Sequence, residues 1–377
     1  MLLWACLVYA QDMKSAEEDS LMAAMRKAFV NTNAYDVPEV RHPSGTNVKN
    51  IVLMIGDGMG TSQVYAGLVA NMGALFLQQC PYSGFSTTSS ADKLITDSAA
   101  GATALATGVK TYNGAIGVDT AKIPRKTILE MAEDRGWSTG LVSTCDITHA
   151  TPASFIAHQE SRGMAEEIAA DFLKTDIDCF IGGGLDRFIK RKDGRNLVAQ
   201  LESKGYRTIT GIDDLHLHDN DDKIAALVAP GHLSPAIMGR NSYLEEATAL
   251  SLELLSRKGT GFFLMIEGSQ IDWGGHDNNT TYIATEMLDF DRAIGRVLQF
   301  AADDGETLVV ITADHETGGF SVNGGDPGRG MVEGAFTTGG HTPVMVPVFS
   351  FGPGADQFSG IMDNTDIFHK MVQQAGF

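Results

Sequence analysis

Cysteine is scarce in this chain, and the few cysteines are poorly placed for cross-links. The 377 residues include four, Cys6, Cys80, Cys145 and Cys179, and no two of them have the C-x-x-C spacing. Cys145 and Cys179 lie in apolar, strand-like segments, where a buried free thiol is the simplest interpretation. If Cys6 is removed with a signal segment, three cysteines remain, so at least one is unpaired. The sequence therefore provides no disulfide framework.

Basic residues and long apolar runs are also scarce. Lys and Arg number 28 against 47 Asp and Glu, which gives a formal net charge of −19. This excess of negative charge argues against a surface that binds nucleic acid or an anionic membrane. Beyond the N-terminus, no segment approaches the roughly 18 consecutive apolar residues that a membrane-spanning helix needs. Hydrophobic residues nevertheless make up 43% of the chain, which predicts a globular protein with a sizeable core.

The first ten residues differ from the rest of the chain. Residues 2–10, Leu-Leu-Trp-Ala-Cys-Leu-Val-Tyr-Ala, resemble the apolar core of a signal peptide. Val8 and Ala10 fit a cleavage site of small residues, although no basic segment precedes the apolar run. We interpret 1–10 as a signal-peptide remnant and predict a periplasmic or secreted protein. A buried terminal strand is the alternative for this segment.

Strand-like and helix-like runs alternate from Asn50 onward. The apolar runs predict strands at 50–55, 139–144, 178–181, 206–210, 223–228, 261–266, 307–311 and 346–351. The helix-like runs are at 61–72, 98–107, 125–135, 163–174, 195–204, 243–257, 281–303 and 365–375. This alternation predicts an α/β fold, with a doubly wound, mostly parallel central sheet and helices on both faces.

No linker is rich enough in Pro, Gly or Ser to divide the alternating region. We therefore predict a single catalytic domain over residues 49–377. Residues 11–48 are predicted as an N-terminal extension with a short amphipathic helix around 20–30. The irregular segment 211–240 and the Gly-rich segment 322–337 are predicted as short insertions.

One hydroxyl stands between an acidic residue and an Ala-rich helix. The stretch Thr-Asp-Ser-Ala-Ala-Gly-Ala-Thr-Ala at 96–104 places Ser98 at a predicted helix N-terminus. Backbone N–H groups and the helix dipole favour an anion at such a position, so Ser98 is well placed to meet a phosphate. Taken alone, the stretch is more typical of an ordinary N-cap on a packing helix of small residues, and the motifs downstream change that interpretation.

Carboxylates and imidazoles follow several of the predicted strands. The sequences that follow these strands are Gly-Asp-Gly-Met-Gly from 56, Glu-Gly-Ser-Gln-Ile-Asp-Trp-Gly-Gly-His from 267 and Ala-Asp-His-Glu-Thr-Gly-Gly from 313, while Gly-Gly-His at 339–341 precedes the last strand. Ligands of open α/β sheets bind beyond the carboxyl ends of the strands, so these distant loops can converge. Oxygen and imidazole donors suit zinc or magnesium. Each motif alone also has a simpler interpretation as a turn, a helix cap or a solvated loop.

Taken together, these motifs resemble the alkaline phosphatase family. The ordered set also includes Thr-His-Ala-Thr-Pro-Ala at 148–153, and the resemblance extends from about Asn50 to the C-terminus. A single motif is weak evidence, but six in the family's order are highly specific. The resemblance implies hydrolysis of phosphate monoesters at alkaline pH, with two Zn²⁺ and one Mg²⁺ per chain. It also implies a homodimer acting on small phosphomonoesters.

The resemblance assigns a role to each site residue. One zinc, which also contacts Ser98, is held by Asp57, Asp314 and His315. The other zinc is held by Asp272, His276 and His341, and the magnesium is held by Asp57, Thr151 and Glu267. Arg162 matches the substrate-binding arginine, whose planar guanidinium can grip two phosphate oxygens. The implied route has two steps, in which Ser98 attacks phosphorus and water then hydrolyses the phosphoserine.

Two positions vary within the family. His149 and Trp273 stand where other members carry other pairs, such as Asp with Lys. The pair predicts altered magnesium dependence and looser binding of product phosphate, whereas a packed aromatic lid is the alternative for Trp273. His158 and His232 receive no role and are interpreted as structural.

Two other functions remain open from the sequence. The same superfamily includes phosphodiesterases, sulfatases and phosphoglycerate-mutase-like enzymes, which usually have a different nucleophile or a differently surrounded serine. A phosphate- or metal-binding scavenger is the non-enzymatic alternative. An intact Ser98 beside a full set of metal-type residues argues against the scavenger.

Overall fold

The computed structural model describes residues 23–377 except 25, 217–220 and 241. The predicted signal-peptide remnant at 1–10 therefore lies outside the described residues. The strands are β1 (Ala28–Val30), β2 (Asn50–Gly56), β3 (Tyr82–Thr87), β4 (Ser138–Asp146), β5 (Cys179–Gly183), β6 (Arg207–Ile209), β7 (Ile224–Leu227), β8 (Phe262–Gly268), β9 (Thr307–Thr312), β10 (Glu316–Thr317), β11 (Ser321–Asp326), β12 (Met331–Ala335), β13 (His341–Thr342), β14 (Val346–Phe351) and β15 (Gly360–Asp363).

The helices lie mainly between these strands. Their bounds are Thr61–Ala70, Ser98–Thr107, Ile128–Asp134, Ala150–Ala153, Ala165–Asp171, Leu185–Ile189, Leu197–Ser203, Tyr243–Ser256, Ile271–His276, Thr280–Asp304 and Asn364–Ala375. Among the described residues, no helix is both long enough and apolar enough to cross a membrane.

Ten strands form one large sheet in the order β15-β3-β14-β9-β2-β8-β4-β5-β7-β6. Strand β14 runs antiparallel to both of its neighbours, and the other seven pairs are parallel. Parallel neighbours need crossover connections, which the helices supply. The predicted α/β fold with a mostly parallel central sheet is confirmed.

The central strand β2 shows how the core is divided into two layers. All seven of its residues are buried. Val52 and Met54 pack into one hydrophobic cluster, whereas Ile51, Leu53 and Ile55 pack into a second one. Successive side chains of a strand point to opposite faces, so the two clusters lie on the two faces of the sheet. Helices therefore cover both faces, as the near-continuous apolar run of this strand predicts.

The N-terminal region and the segment 322–337 form a separate small sheet. Strand β12 pairs with both β11 and β1, all antiparallel. The predicted amphipathic helix around 20–30 is wrong for Ala28–Val30, because these residues are held in extended form by pairing with Met331–Glu333. The side chain of Val332 is completely buried, so the Gly-rich segment contributes to the core.

Two strands of the large sheet, β3 and β15, were not predicted. Their sequences, Tyr-Ser-Gly-Phe-Ser-Thr and Gly-Ile-Met-Asp, contain no apolar run. Strand β15 pairs with β3, which in turn pairs with β14. These strands are therefore fixed by long-range pairing, which outweighs local preference.

Candidate active site

The central strands end at one edge of the sheet, where the predicted ligands meet. Asp57 directly follows β2, Glu267 lies near the end of β8, and Asp314 and His315 follow β9. Strands β9, β2 and β8 are neighbours in the sheet. All four side chains are almost completely buried. The topology therefore brings Asp57 close to Asp314 and His315, which are more than 250 positions away in the chain.

Asp57, Asp314 and His315 form a compact group. Nε2 of His315 lies 3.4 Å from Oδ1 of Asp57 and 3.3 Å from Oδ2 of Asp314. Among the described residues, both carboxylate oxygens of Asp57 and Oδ2 of Asp314 are buried without a hydrogen-bond partner. Buried charged oxygens without partners are costly, so this group fits a bound cation.

The pKa values of this group also indicate a cation site. Burial, followed by the charges of Asp314 and Asp272, raises the pKa of Asp57 well above its usual range. Burial and the charge of Asp272 raise the pKa of Asp314 to about 8. Burial lowers the pKa of His315 well below its usual range, which keeps the imidazole neutral. A divalent cation offsets crowded carboxylates and binds a neutral imidazole, so the donor set fits a metal.

A second group surrounds Asp272. Nε2 of His276 lies 3.3 Å from Oδ2 of Asp272, and Nε2 of His341 lies 3.6 Å from its Oδ1. The two Nε2 atoms are 3.2 Å apart. Each imidazole uses its Nδ1 to contact a backbone carbonyl, that of Gly339 for His276 and that of Thr96 for His341. An Nδ1–H bonded to a carbonyl leaves the Nε2 lone pair free for a metal.

The two groups adjoin each other. The rings of His315 and His341 are stacked with their centroids 3.6 Å apart. Ligand atoms of Asp272, His315 and His341 all lie within 4.8 Å of one another. A pair of metals held by the two groups would therefore be close neighbours, as catalysis by two metals requires.

Glu267 and Thr151 form the third predicted ligand set with Asp57. Oε2 of Glu267 accepts hydrogen bonds from Oγ of Ser269, at 2.7 Å, and from Sγ of Cys145, at 3.4 Å. Oε1 of Glu267 and Oγ1 of Thr151 are buried and have no well-formed hydrogen bond to any described residue. Burial raises the pKa of Glu267 to about 7, although the neighbouring hydroxyls and thiol lower it. Buried oxygens that lack a well-formed hydrogen bond within the described part of the chain again fit a cation.

Ser98 begins the helix that ends at Thr107, as predicted. Oδ1 of Asp97 caps this helix by accepting a hydrogen bond from the backbone N–H of Ala100, at 3.0 Å. The Ser98 side chain is buried, and its Oγ lies 3.2 Å from Nε2 of His315. The cap explains why the helix starts here, and the position of Oγ places the hydroxyl against the first ligand group.

Arg162 contacts Asp97, the residue that precedes this serine. Its NH1 donates to Oδ2 of Asp97 at 3.1 Å, and its NH2 contacts Nε2 of His149 at 3.1 Å. His149 also faces the indole of Trp273, with a centroid distance of 6.3 Å and nearly perpendicular rings. One carboxylate and one imidazole thus hold the guanidinium in place.

Three contacts were missed by the sequence analysis. His232, which was interpreted as structural, packs edge-on against Trp273 at 4.8 Å, and Cys145 donates to Glu267. Thr317 hydrogen-bonds to Asp272. Of the three, only Thr317 lies in a motif that the sequence singles out, because it follows Asp314 and His315 closely in the chain.

Comparison with known proteins identifies the family. The family model described as alkaline phosphatase matches residues 48–334. The chain belongs to the alkaline phosphatase family. Alkaline phosphatase 3 of Bacillus subtilis is 34% identical, over 90% of this chain and 93% of its own length. The alkaline phosphatase of Escherichia coli is 31% identical, over 87% of this chain and 86% of its own.

A solved structure agrees with this assignment. The alkaline phosphatase of the Antarctic bacterium TAB5 aligns with a TM-score of 0.84 and 41% identity, covering 90% of this chain and 99% of its own. A variant of that enzyme is described with Mg bound in its M3 site. As a member of the alkaline phosphatase family, the chain is a metal-dependent hydrolase of phosphate monoesters. The family membership therefore favours this activity over the diesterase, sulfatase, mutase and scavenger alternatives.

Proposed function

We propose that this alkaline phosphatase works through a covalent phosphoserine on Ser98. The observation that carries the proposal is the position of the Ser98 hydroxyl. It is buried at the N-terminus of a ten-residue helix, 3.2 Å from an imidazole that also faces Asp57 and Asp314. Backbone N–H groups at the helix N-terminus stabilise a bound phosphate. The substrate phosphate can therefore bind directly beside the Ser98 nucleophile.

We propose that the ligand groups hold two Zn²⁺ and one Mg²⁺. Asp57, Asp314 and His315 would hold one zinc, and Asp272, His276 and His341 would hold the other. Asp57, Thr151 and Glu267 would hold the magnesium. In the first and third sets, buried oxygens that make no well-formed hydrogen bond to any described residue support this assignment. When bound, the metals lower the pKa of a coordinated hydroxyl or water and stabilise negative charge on the attacking and leaving oxygens.

The side chains of this chain perform the remaining tasks. Arg162 binds two non-bridging oxygens of the phosphate, and Asp97 and His149 hold its guanidinium in place. Oγ of Ser98 forms a bond to phosphorus, while the bond from phosphorus to the alcohol oxygen breaks and the alcohol leaves. Water then forms a new bond to phosphorus, and the Ser98 ester bond breaks to release inorganic phosphate. Two in-line displacements give net retention at phosphorus.

His149 and Trp273 are proposed to set how tightly phosphate is held. His149 contacts the phosphate-binding Arg162, and Trp273 lies against His149. An imidazole and an indole supply no permanent charge here. We therefore expect weaker retention of product phosphate than with a carboxylate and lysine pair, and a changed dependence on magnesium.

Location and assembly are proposed from the family resemblance and the N-terminal sequence. We propose a periplasmic or secreted homodimer. Light scattering coupled to size-exclusion chromatography would report the mass of the assembly. Cell fractionation of the full-length gene product would report its location.

The activity is tested by steady-state hydrolysis of a chromogenic phosphomonoester as a function of pH. A matched diester and a sulfate ester are measured beside it, before and after chelation and with Zn²⁺ and Mg²⁺ restored. We expect activity on the monoester that rises with pH, disappears on chelation and returns with the metals. A preference for the diester or the sulfate would contradict the proposal.

A further inference from the structure

Thr317 lies between the two ligand groups. It belongs to the two-residue strand β10, and its Cα is paired with that of His341 in β13. Its side chain is completely buried. The hydroxyl donates a hydrogen bond to Oδ1 of Asp272, and its oxygen lies 3.2 Å from Nδ1 of His315. One hydroxyl therefore touches a ligand of each group.

The chemistry of the three partners fixes the direction of both hydrogen bonds. An ionised carboxylate can only accept, so the single proton of the Thr317 hydroxyl goes to Asp272. The hydroxyl oxygen is then the acceptor for His315, whose Nδ1 must carry the proton. A neutral imidazole has one N–H, so Nε2 of His315 keeps its lone pair. That nitrogen is the atom that faces Ser98, Asp57 and Asp314.

The backbone of Thr317 is held independently of its hydroxyl. Its N–H donates to the carbonyl of Gly58 at 3.2 Å, and its carbonyl accepts from Nε2 of Gln63 at 2.9 Å. Gly58 has a φ of +73°, and a Cβ there would lie 2.8 Å from Oγ1 of Thr317. The surroundings thus hold the threonine tightly, and a side chain of the same shape can replace it without moving the chain.

We propose that Thr317 is a positioning residue for both metal-ligand groups, because its one hydroxyl selects the Nε2-binding tautomer of His315 and orients the carboxylate of Asp272. The inference rests on the proposed function for the identity of the two zinc sites. Residues that hydrogen-bond to metal ligands typically contribute about 10- to 100-fold to metal affinity. Here a single side chain supports ligands of two metals.

The test measures zinc affinity directly, by competition with a chromophoric chelator, in the wild type and in two variants. Thr317→Val keeps the branched shape and removes the hydroxyl, whereas Thr317→Ser keeps the hydroxyl. We expect the valine variant to bind both tight zinc equivalents about 10- to 100-fold more weakly. The serine variant should remain close to the wild type.

Thr307→Val is the matched control. Thr307 begins β9 at the end far from the site, and its hydroxyl donates to a carboxylate oxygen of Asp304 at 2.6 Å. This control also loses a hydrogen bond from a buried threonine hydroxyl to a carboxylate, here a partly buried bond, so it should lose thermal stability without losing zinc affinity. Unchanged zinc binding in Thr317→Val would overturn the inference. Weakening of only one zinc equivalent, or equal weakening in Thr307→Val, would overturn it as well.

The outcome is separable from that of the proposed function. Chelator competition needs no substrate and reports affinity whether or not the protein turns over a phosphomonoester. Turnover by the zinc-saturated wild type tests the proposed function on its own. A wild type that hydrolyses monoesters, together with a valine variant of normal zinc affinity, would retain the function and reject the role of Thr317.

Discussion

The inner ligand groups and the rim of the site are built in different ways. Inside, Asp57, Asp314 and His315 are buried on loops that directly follow parallel strands. At the rim, Trp273 is half-buried and contacts the rings of His149 and His232. His232 is exposed, and its Nδ1 accepts a hydrogen bond from the backbone N–H of Asp146 at 3.0 Å. The inner groups carry charges that need a cation, whereas the rim carries aromatic faces without permanent charge. We infer that the interior determines the chemistry and that the rim adjusts the affinity for phosphate.

The largest expected loss of turnover comes from a substitution in the inner ligand groups. Asp57→Asn replaces a carboxylate that belongs to two proposed metal sites, and both of its oxygens lack hydrogen-bond partners among the described residues. We expect turnover to fall by about 1,000-fold or more, because metal ions supply several kcal/mol of transition-state stabilisation. Metal content measured by elemental analysis should fall in parallel.

Asp291→Asn is the control for that change. Asp291 is also a buried carboxylate, but it accepts hydrogen bonds from Tyr35 and from backbone N–H groups in another part of the structure. This variant should lose stability and keep its metals and its turnover. Equal loss of metal in both variants would show that burial of a carboxylate, and not its place in the site, is responsible.

A smaller loss of activity is expected from substituting Arg162, which lies between the inner ligand groups and the rim. Arg162→Lys keeps the positive charge and loses the forked pair of donors that contact Asp97 and His149. We expect kcat/KM for a phosphomonoester to fall by about 10- to 100-fold, because charge-assisted hydrogen bonds are lost in the transition state. Steady-state kinetics would show this loss.

The control for Arg162→Lys is Arg125→Lys, which breaks a forked contact to Asp119. This control should leave kcat/KM unchanged. If Arg162→Lys also leaves it unchanged, the arginine does not bind the phosphate.

The smallest expected effect is a change in phosphate inhibition caused by a substitution at the rim. Trp273→Lys introduces a positive charge beside His149 and should tighten competitive inhibition by inorganic phosphate by about two- to fivefold, as expected for a partly screened charge. Trp273→Phe keeps an aromatic ring and adds no charge, so it should leave the inhibition constant near that of the wild type. An inhibition constant that is the same in the lysine variant and the wild type would contradict the role of the rim.

The same contrast explains what the sequence can and cannot predict. The runs that became β2, β8 and β9 are apolar enough to be recognised as buried strands, and the ligands stand immediately after them. Their convergence follows from the rule that parallel strands end at one edge. The motifs therefore predict that these residues lie close together, as they do in the structure.

The contacts made at the rim and around the ligands have no local signal, even where a motif contains one of the residues, as it does for Trp273 and Thr317. His232 meets Trp273, and Thr317 meets Asp272, across 41 and 45 positions of the chain, respectively. Strand β1 forms because β12 is beside it, although its own sequence resembles part of a helix. Pairing and packing over such distances are decided by the folded structure, which no short window of sequence contains.

The central claim is that Ser98 carries the phosphate during turnover. The most direct measurement is acid quenching of the enzyme with substrate or inorganic phosphate, followed by mass spectrometry of the peptide that contains Ser98. The account predicts one phosphate on Ser98 in the wild type. It predicts none in Ser98→Ala, which should lose most turnover and keep its metals. Phosphate on another residue, or full turnover by Ser98→Ala, would contradict it.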